Sequence, residues 1–273
     1  MKLFSLHQRL TTTIAIAEEA GRLILKARED QTFSRSMKGG DELVTDVDVA
    51  VDKLIGQRLE EAFPGEARLS EELSPQQAQA VKAPALWVID PIDGTVNFAQ
   101  GQHHVAVSIG WLEEGIGKVG VVHAPFLGET FAAAEGLGAS CNGKPIQPSG
   151  ETALERTLVG TGFPYQKNAR VALLKRFGAV LTHCQDIRRN GSAALDLCDV
   201  ACGRLDAYYE SVSPWDFVAG WVIAREAGAT VDHLYPVPDS IPPDLCGEHL
   251  LVTTPAVHNG VARVLWSADN KDY

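Results

Sequence analysis

Cysteine is scarce and unpatterned in this chain: five among 273 residues (Cys141, Cys184, Cys198, Cys202 and Cys246), with no C-x-x-C pair. An odd, scattered set argues against a disulfide framework, and a zinc site would need more convergent ligands. Buried free thiols are the expectation. Long apolar runs are missing as well. No stretch approaches the roughly 20 residues of a membrane span, and the apolar positions from Ile14 to Leu25 are broken by Glu18, Glu19 and Arg22, so neither a membrane anchor nor a signal peptide is expected. A cytoplasmic protein follows as the expectation. Positive charge is the third shortage: 24 Lys and Arg against 35 Asp and Glu give a formal charge of −11. That balance argues against a general binder of nucleic acid or anionic membrane. It does not exclude an anionic substrate, because a bound cation inverts the local field.

What the chain does have is an ordinary globular composition, 45% apolar and 22% charged, and enough length for one large domain or two intimately packed halves. Its most informative stretch runs from Trp87 to Phe98, W-V-I-D-P-I-D-G-T-V-N-F. Leu86 to Ile89 reads as a short buried strand, which Pro91 is expected to stop by removing a backbone donor. Gly94 permits a conformation or a close approach that a side chain would forbid. Asp90 and Asp93 then bring two carboxylates to one strand end, where open α/β sheets place ligands. Carboxylates that close repel each other, and a hard divalent cation such as magnesium relieves the repulsion. Taken as an isolated D-x-x-D-G, the same residues are also a plain turn.

Along the chain, Leu6 to Arg28 has the apolar spacing of an amphipathic helix. A loop follows at Ser36–Asp41, then a second helix over Val47–Leu59, capped by Thr45 or Asp46 and stopped at Pro64-Gly65. Ser74–Pro84 is a polar connector, expected to be the most mobile segment of the first half. His104–Trp111, Lys118–His123 and Glu129–Ala134 read as antiparallel strands. Turn residues cluster at Asn142–Gly150, which suggests a boundary near residue 145. The second half alternates strand and helix: Thr157–Thr161, Ala169–His183, Gln185–Ile187, Ser192–Cys202, Asp206–Tyr209, Trp215–Ala227, His249–Thr253 and Ala256–Leu265. Such alternation predicts a partly parallel α/β layer. The proline-rich Tyr235–Cys246 reads as a surface loop.

The string D-P-I-D-G-T-x-N-F after Trp-Val-Ile resembles the signature of the inositol monophosphatase family of magnesium-dependent phosphatases. Further segments match along nearly the whole chain: Leu43-Val44-Thr45-Asp46-Val47-Asp48, Ser70-Glu71-Glu72, Gly191-Ser192-Ala193-Ala194, and Trp215-Asp216-Phe217-Val218-Ala219-Gly220. The resemblance implies a layered αβαβα sandwich, mixing α/β and α+β, of the inositol monophosphatase and fructose-1,6-bisphosphatase type. Residues 1–145 would form an α+β half carrying the metal signature, and residues 146–273 an α/β half completing the site.

It also implies roles. Glu71, Asp90, Ile92 (through its carbonyl), Asp93 and Asp216 would hold two or three magnesium ions. Thr95 and Asp48, together with Glu71, would assist direct attack by a metal-activated water. Gly94 and Thr95 would cradle the phosphate with backbone N–H groups. Gly191, Ser192, Ala193, Glu210 and Asp216 would contact the substrate. Each position also has a bland reading: Glu71 and Glu72 as a solvated face, Asp48 as an exposed helix acid, Asp216 as a helix cap. Arg188 and Arg189 are read as surface residues in preference to anion contacts, and His103 and His104 likewise as surface positions. The Glu210–Asp216 segment is one residue shorter than the family pattern, which could retract Glu210 by about 3 Å.

The implied activity is hydrolysis of a small phosphate monoester, an inositol monophosphate by default. Histidinol phosphate, fructose 1,6-bisphosphate and 3′-phosphoadenosine 5′-phosphate are alternatives with the same chemistry. Lithium sensitivity and a homodimer are implied by the resemblance alone; the partner would be a phosphorylated polyol or sugar, with neither nucleic acid nor membrane. Two rivals stand against this. A haloacid-dehalogenase-type phosphatase needs its acids two apart in D-x-D-G-T, whereas Asp90 and Asp93 are three apart. A catalytically idle regulatory or binding protein on the same fold should have lost a ligand, and none of Glu71, Asp90, Asp93, Thr95 or Asp216 is missing.

Overall fold

A computed structural model describes residues 4–31, 33–38, 42–74, 82–163 and 170–270. The first helix, α1 (Leu6–Glu29), starts at a capping box in which Ser5 and Gln8 bond each other's backbone N–H, and it buries Ile16, Ala17, Ala20 and Ile24. The strands β1 (Arg35–Lys38) and β2 (Glu42–Thr45) form an antiparallel pair. Ser36 to Lys38 are therefore extended where a loop was expected; too short for alternation, the strand has only its partner to reveal it. Residues 39–41 of that expected loop lie outside the described residues, as do residues 75–81 of the polar connector.

Helix α2 (Asp46–Ala62) is capped by Thr45, with Asp48 as the reciprocal partner. It leads to β3 (Ala67–Ser70) and β4 (Ala85–Asp93), which pair in parallel. After the single-turn α3 (Thr95–Ala99) come β5 (Ala106–Glu113), β6 (Ile116–Ala124), β7 (Glu129–Ala134), β8 (Gly138–Cys141) and β9 (Lys144–Pro145). These complete a seven-stranded sheet in the order β3-β4-β5-β6-β7-β8-β9, antiparallel from β4 onward. The expectation that Pro91 stops the strand is corrected here: β4 continues to Asp93. Asp90 lies opposite Ser108 and Asp93 opposite Ala106, so one extra residue is accommodated between them as a bulge. Proline is tolerated at a bulge because the ladder bond it cannot donate is already broken there.

The second half supplies β10 (Leu158–Thr161), α4 (Arg170–His183), β11 (Asp186–Arg188), α5 (Ala193–Ala201), β12 (Ala207–Glu210), α6 (Pro214–Ala227), β13 (Thr230–His233), β14 (Leu250–Thr253) and α7 (His258–Asp269). Its five strands order as β11-β10-β12-β14-β13, parallel among the first three and antiparallel after that. The edge strands β3 and β13, four residues each, were not expected. Neither is long enough to show a period. The proline-rich loop also carries more than surface: a 3₁₀ turn at Pro243–Leu245 buries Leu245 and Cys246.

Strand alternation sorts the core into layers. Trp87, Ile89, Val107, Ile109 and Val121 face α1 and α2, while Leu86, Val88, Leu112 and Val122 face α5 and α6. Tyr208 and Val252 close that central layer from the five-stranded sheet, whose other face packs Val159, Tyr209 and Leu251 against α4 and α7. The stack is thus helices, sheet, helices, sheet, helices. All five cysteines are free, with Cys184, Cys198 and Cys246 buried. No helix among the described residues is long and apolar enough to cross a membrane.

Candidate active site

The bulge at the end of β4 aims Asp90 and Asp93 at the start of α6. Carboxylate oxygens of Asp90, Asp93 and Asp216 come within 4.8 Å of one another. Asp90 and Asp93 are buried. Asp216 occupies the third position of α6 and accepts the backbone N–H of Ser213 at 2.8 Å, so capping and facing the cluster are one geometry. Burial lifts the Asp90 carboxyl well above the usual range, and the charges of Glu71, Asp93 and Asp216 add to the rise. Glu71, from the turn after β3, is therefore part of the same cluster. Asp93 is pushed up to about 6 by burial, with the Ser192 hydroxyl and the Ala194 N–H opposing. Asp216 is raised by burial and then by Asp93.

Hydrogen bonds compensate these acids in part, from Ile92 N to Asp90 Oδ1 at 2.9 Å, Ser192 Oγ to Asp93 Oδ2 at 2.6 Å and Ala194 N to the same oxygen at 2.7 Å, and the charge of His104 also lowers Asp93. Oxygen-only donors whose mutual repulsion is uncancelled are what a hard divalent cation fits. The cluster can hold such an ion.

Thr95 and Asp48 stand beside it. Asp48 is buried at the base of α2, where Thr45 donates both its N–H (2.8 Å) and its hydroxyl (2.5 Å) to Oδ2. That leaves Oδ1 for the Thr95 hydroxyl at 3.1 Å, which also lies 3.1 Å from the Ile92 carbonyl oxygen. Burial raises the Asp48 carboxyl, and the bonds from Thr45 and Thr95 oppose it. Gly94 has φ +96°, and a Cβ there would sit 2.8 Å from the His104 carbonyl oxygen and 3.2 Å from that of Gly191. Only glycine lets the metal-signature turn and the Gly191 turn touch.

Ser192 caps α5 and its hydroxyl accepts the Leu195 N–H at 3.3 Å; donating to Asp93 as well, it is buried. Ala193 opens α5 directly behind it. Glu210 ends β12, accepts the Tyr208 hydroxyl at 2.5 Å, and adds to the rise at Asp216. The shorter Glu210–Asp216 segment thus still keeps the two acids within each other's field.

Three residues belong to this region that the sequence reading left out or placed elsewhere. His104 is no plain surface residue: its side chain is 22% exposed and Nε2 lies 3.5 Å from Asp196 Oδ1. The reason is tertiary, since α5 brings Asp196 beneath it; two acids, Asp196 and Asp199, on an otherwise apolar helix were the available signal. His103 does stay exposed, stacked on Phe126. Asn97 donates to the carbonyls of both His104 and Asn190 at 2.8 Å, tying the two turns together. Arg188 is an exposed partner of Asp186. Arg189 is exposed too, with its guanidinium 5.5 Å from the Phe163 ring; burial pushes the Glu210 carboxyl up to about 7, and the Tyr208 hydroxyl and the Arg189 charge oppose the rise.

The chain is similar to known proteins along most of its length. Residues 5–269 match the model of the inositol monophosphatase family. An inositol-1-monophosphatase from Synechocystis is 42% identical over 86% of this chain and 80% of its own length. The Nus factor SuhB of Escherichia coli K12 is 35% identical over 95% of this chain and 94% of its own. Among solved structures, the inositol monophosphatase of Anabaena superposes with a TM-score of 0.81 at 32% identity, covering 96% of both chains. With this match, the layered fold and the acidic cluster at the sheet edge, the chain belongs to the inositol monophosphatase family and is a phosphoric monoester hydrolase.

Proposed function

We propose that this protein is a magnesium-dependent phosphatase whose substrate is a small polyol phosphate, an inositol monophosphate in the first instance. The observation that carries the reading is the convergence of Asp90, Asp93 and Asp216 within 4.8 Å, with Glu71 raising Asp90 further. Those four side chains and the Ile92 carbonyl would hold the cations. Bound divalent ions supply Lewis-acid stabilisation of charge on the phosphoryl oxygens. The 42%-identical relative named inositol-1-monophosphatase favours the inositol ester.

The chain's own groups handle the proton. Thr45 saturates one Asp48 oxygen, so the other takes the Thr95 hydroxyl proton. Thr95 Oγ1 is then left with its lone pairs outward, where it accepts a proton from the attacking water and orients it. Gly94 and Thr95 present backbone N–H groups to the phosphate, and Gly191, Ser192, Ala193 and Glu210 line the alcohol side. No covalent phosphoenzyme is needed. The test is release of inorganic phosphate from an inositol monophosphate with and without magnesium. Asp93→Asn should lower kcat by on the order of 10²–10³-fold; phosphate release that ignores magnesium, or survives this change, sinks the reading.

A further inference from the structure

Strands β10 and β12 pair in parallel, with Gly160 opposite Tyr208 and Thr161 opposite Tyr209. Because successive side chains alternate, Tyr208 and Glu210 project to the same side of β12, the side that Gly160 and Gly162 leave bare on the neighbouring chain. The space is used. A Cβ on Gly160 would lie 3.3 Å from the Tyr208 ring, and one on Gly162 would lie 1.9 Å from Glu210 Oε1 and 2.2 Å from Oε2. Gly162 has no left-handed φ, so contact with the carboxylate, and not backbone strain, is what excludes a side chain there.

Tyr208 is fully buried. Its hydroxyl donates to Glu210 Oε2 at 2.5 Å, the bond among the described residues that satisfies this phenol. A buried phenol left without a partner is costly, so the bond locks the glutamate rotamer as firmly as the ring is packed. One carboxylate oxygen is held by the phenol, while the charge of Arg189 acts on Glu210 and that of Glu210 acts on Asp216, which places the carboxylate beside the acidic cluster.

We propose that Tyr208 is a positioning residue for substrate selection: through Oε2 it fixes the Glu210 carboxylate as an acceptor for a substrate hydroxyl, on a seat that Gly162 keeps open, so that the site discriminates polyol phosphates from esters without hydroxyls. The proposal rests on the reading of Glu210 as the hydroxyl contact, and the experiment separates the two. The measure is the ratio of kcat/KM for an inositol monophosphate to that for p-nitrophenyl phosphate, with the full chain at saturating magnesium. Tyr208→Phe deletes one oxygen and should reduce this ratio roughly three- to tenfold, mainly by raising KM for the inositol ester. Gly162→Ala should move it in the same direction by displacing the carboxylate, and it carries the test if the phenylalanine variant fails to fold. Glu210→Gln should reduce the ratio at least as much. If Glu210→Gln shifts the ratio but Tyr208→Phe and Gly162→Ala leave it unchanged, or lower both substrates alike, the positioning role is overturned and the Glu210 reading stands. If Glu210→Gln leaves the ratio unmoved, the Glu210 reading falls and takes the proposal with it.

Discussion

Two sets of acids largely shielded from solvent are treated in opposite ways. Glu66, 11% exposed, accepts a bidentate pair of bonds from Arg9 at 2.7 and 2.8 Å and the indole N–H groups of Trp87 and Trp111 at 2.8 and 3.1 Å. The Arg9 guanidinium in turn lies 3.8 Å from the Trp111 ring. Asp269 is similar: burial pushes its carboxyl up, but bonds from Arg176 and Tyr235 outweigh that and hold it below the ordinary value. At the end of β4, by contrast, Asp90, Asp93 and Asp216 face one another and every one is raised. An acid matched by a cation within the chain is a structural element. Acids held mainly by hydrogen bonds, helped at Asp93 by the charge of His104, and set against each other, leave room for a cation from outside.

Breaking a matched pair should have the largest effect on stability. Glu66→Gln strands a buried guanidinium between two indoles, and a loss of about 3–5 kcal/mol in denaturant unfolding is expected. The folded fraction should keep its activity per molecule. A loss under 1 kcal/mol would erase the contrast drawn here.

The site acids should behave inversely. In metal-free protein, Asp93 titrates near 6 against an ordinary 3.8, so the folded state holds its proton longer than the unfolded chain. Stability from this group is therefore full below about pH 4, is lost as pH rises toward 6, and stays lost above. The amplitude is about 3 kcal/mol for a shift of roughly two units. Unfolding in chelator at pH 5 and 7.5 should show the decline, Asp93→Asn should flatten it, and excess magnesium should cancel it. An asparagine variant less stable than the parent at pH 7.5 in chelator would contradict the assignment.

The smallest effect sharpens the comparison from the other side. Arg188 and Asp186 are paired at 2.6 Å but 46% and 51% exposed. Arg188→Gln should change the unfolding free energy by less than about 0.5 kcal/mol, well inside the difference between the two buried classes.

Much of the fold was legible residue by residue. The apolar spacing of α1 and α2, the cap of α2 at Thr45 and the extent of α6 were readable, and so were the central strands β5 to β7. The N-cap of α6 is Ser213, with Asp216 at the third position of the helix. The misses share a cause. The strands β1, β3 and β13 have four residues each, too few to display a period, and they exist because a neighbour pairs with them. Pro91 inside β4 breaks a local rule that the bulge opposite Ser108 and Ala106 suspends. His104 looked superficial because its partner Asp196 is 92 positions away along the chain.

The chain's own order of residues was enough to determine the chemistry on offer: a proline-flanked pair of aspartates, a glycine and a threonine in one short string, and further acids in three distant segments. It was also enough to specify alternating strands and capped helices, since those depend on neighbours within a few positions. Which acids would share a cavity was decided only by packing. Sheet register carries Asp90 and Asp93 to the start of α6, and α5 closes on them through Ser192 and Ala194, because burial of the two sheets against a common helical layer leaves these polar edges nowhere else to meet.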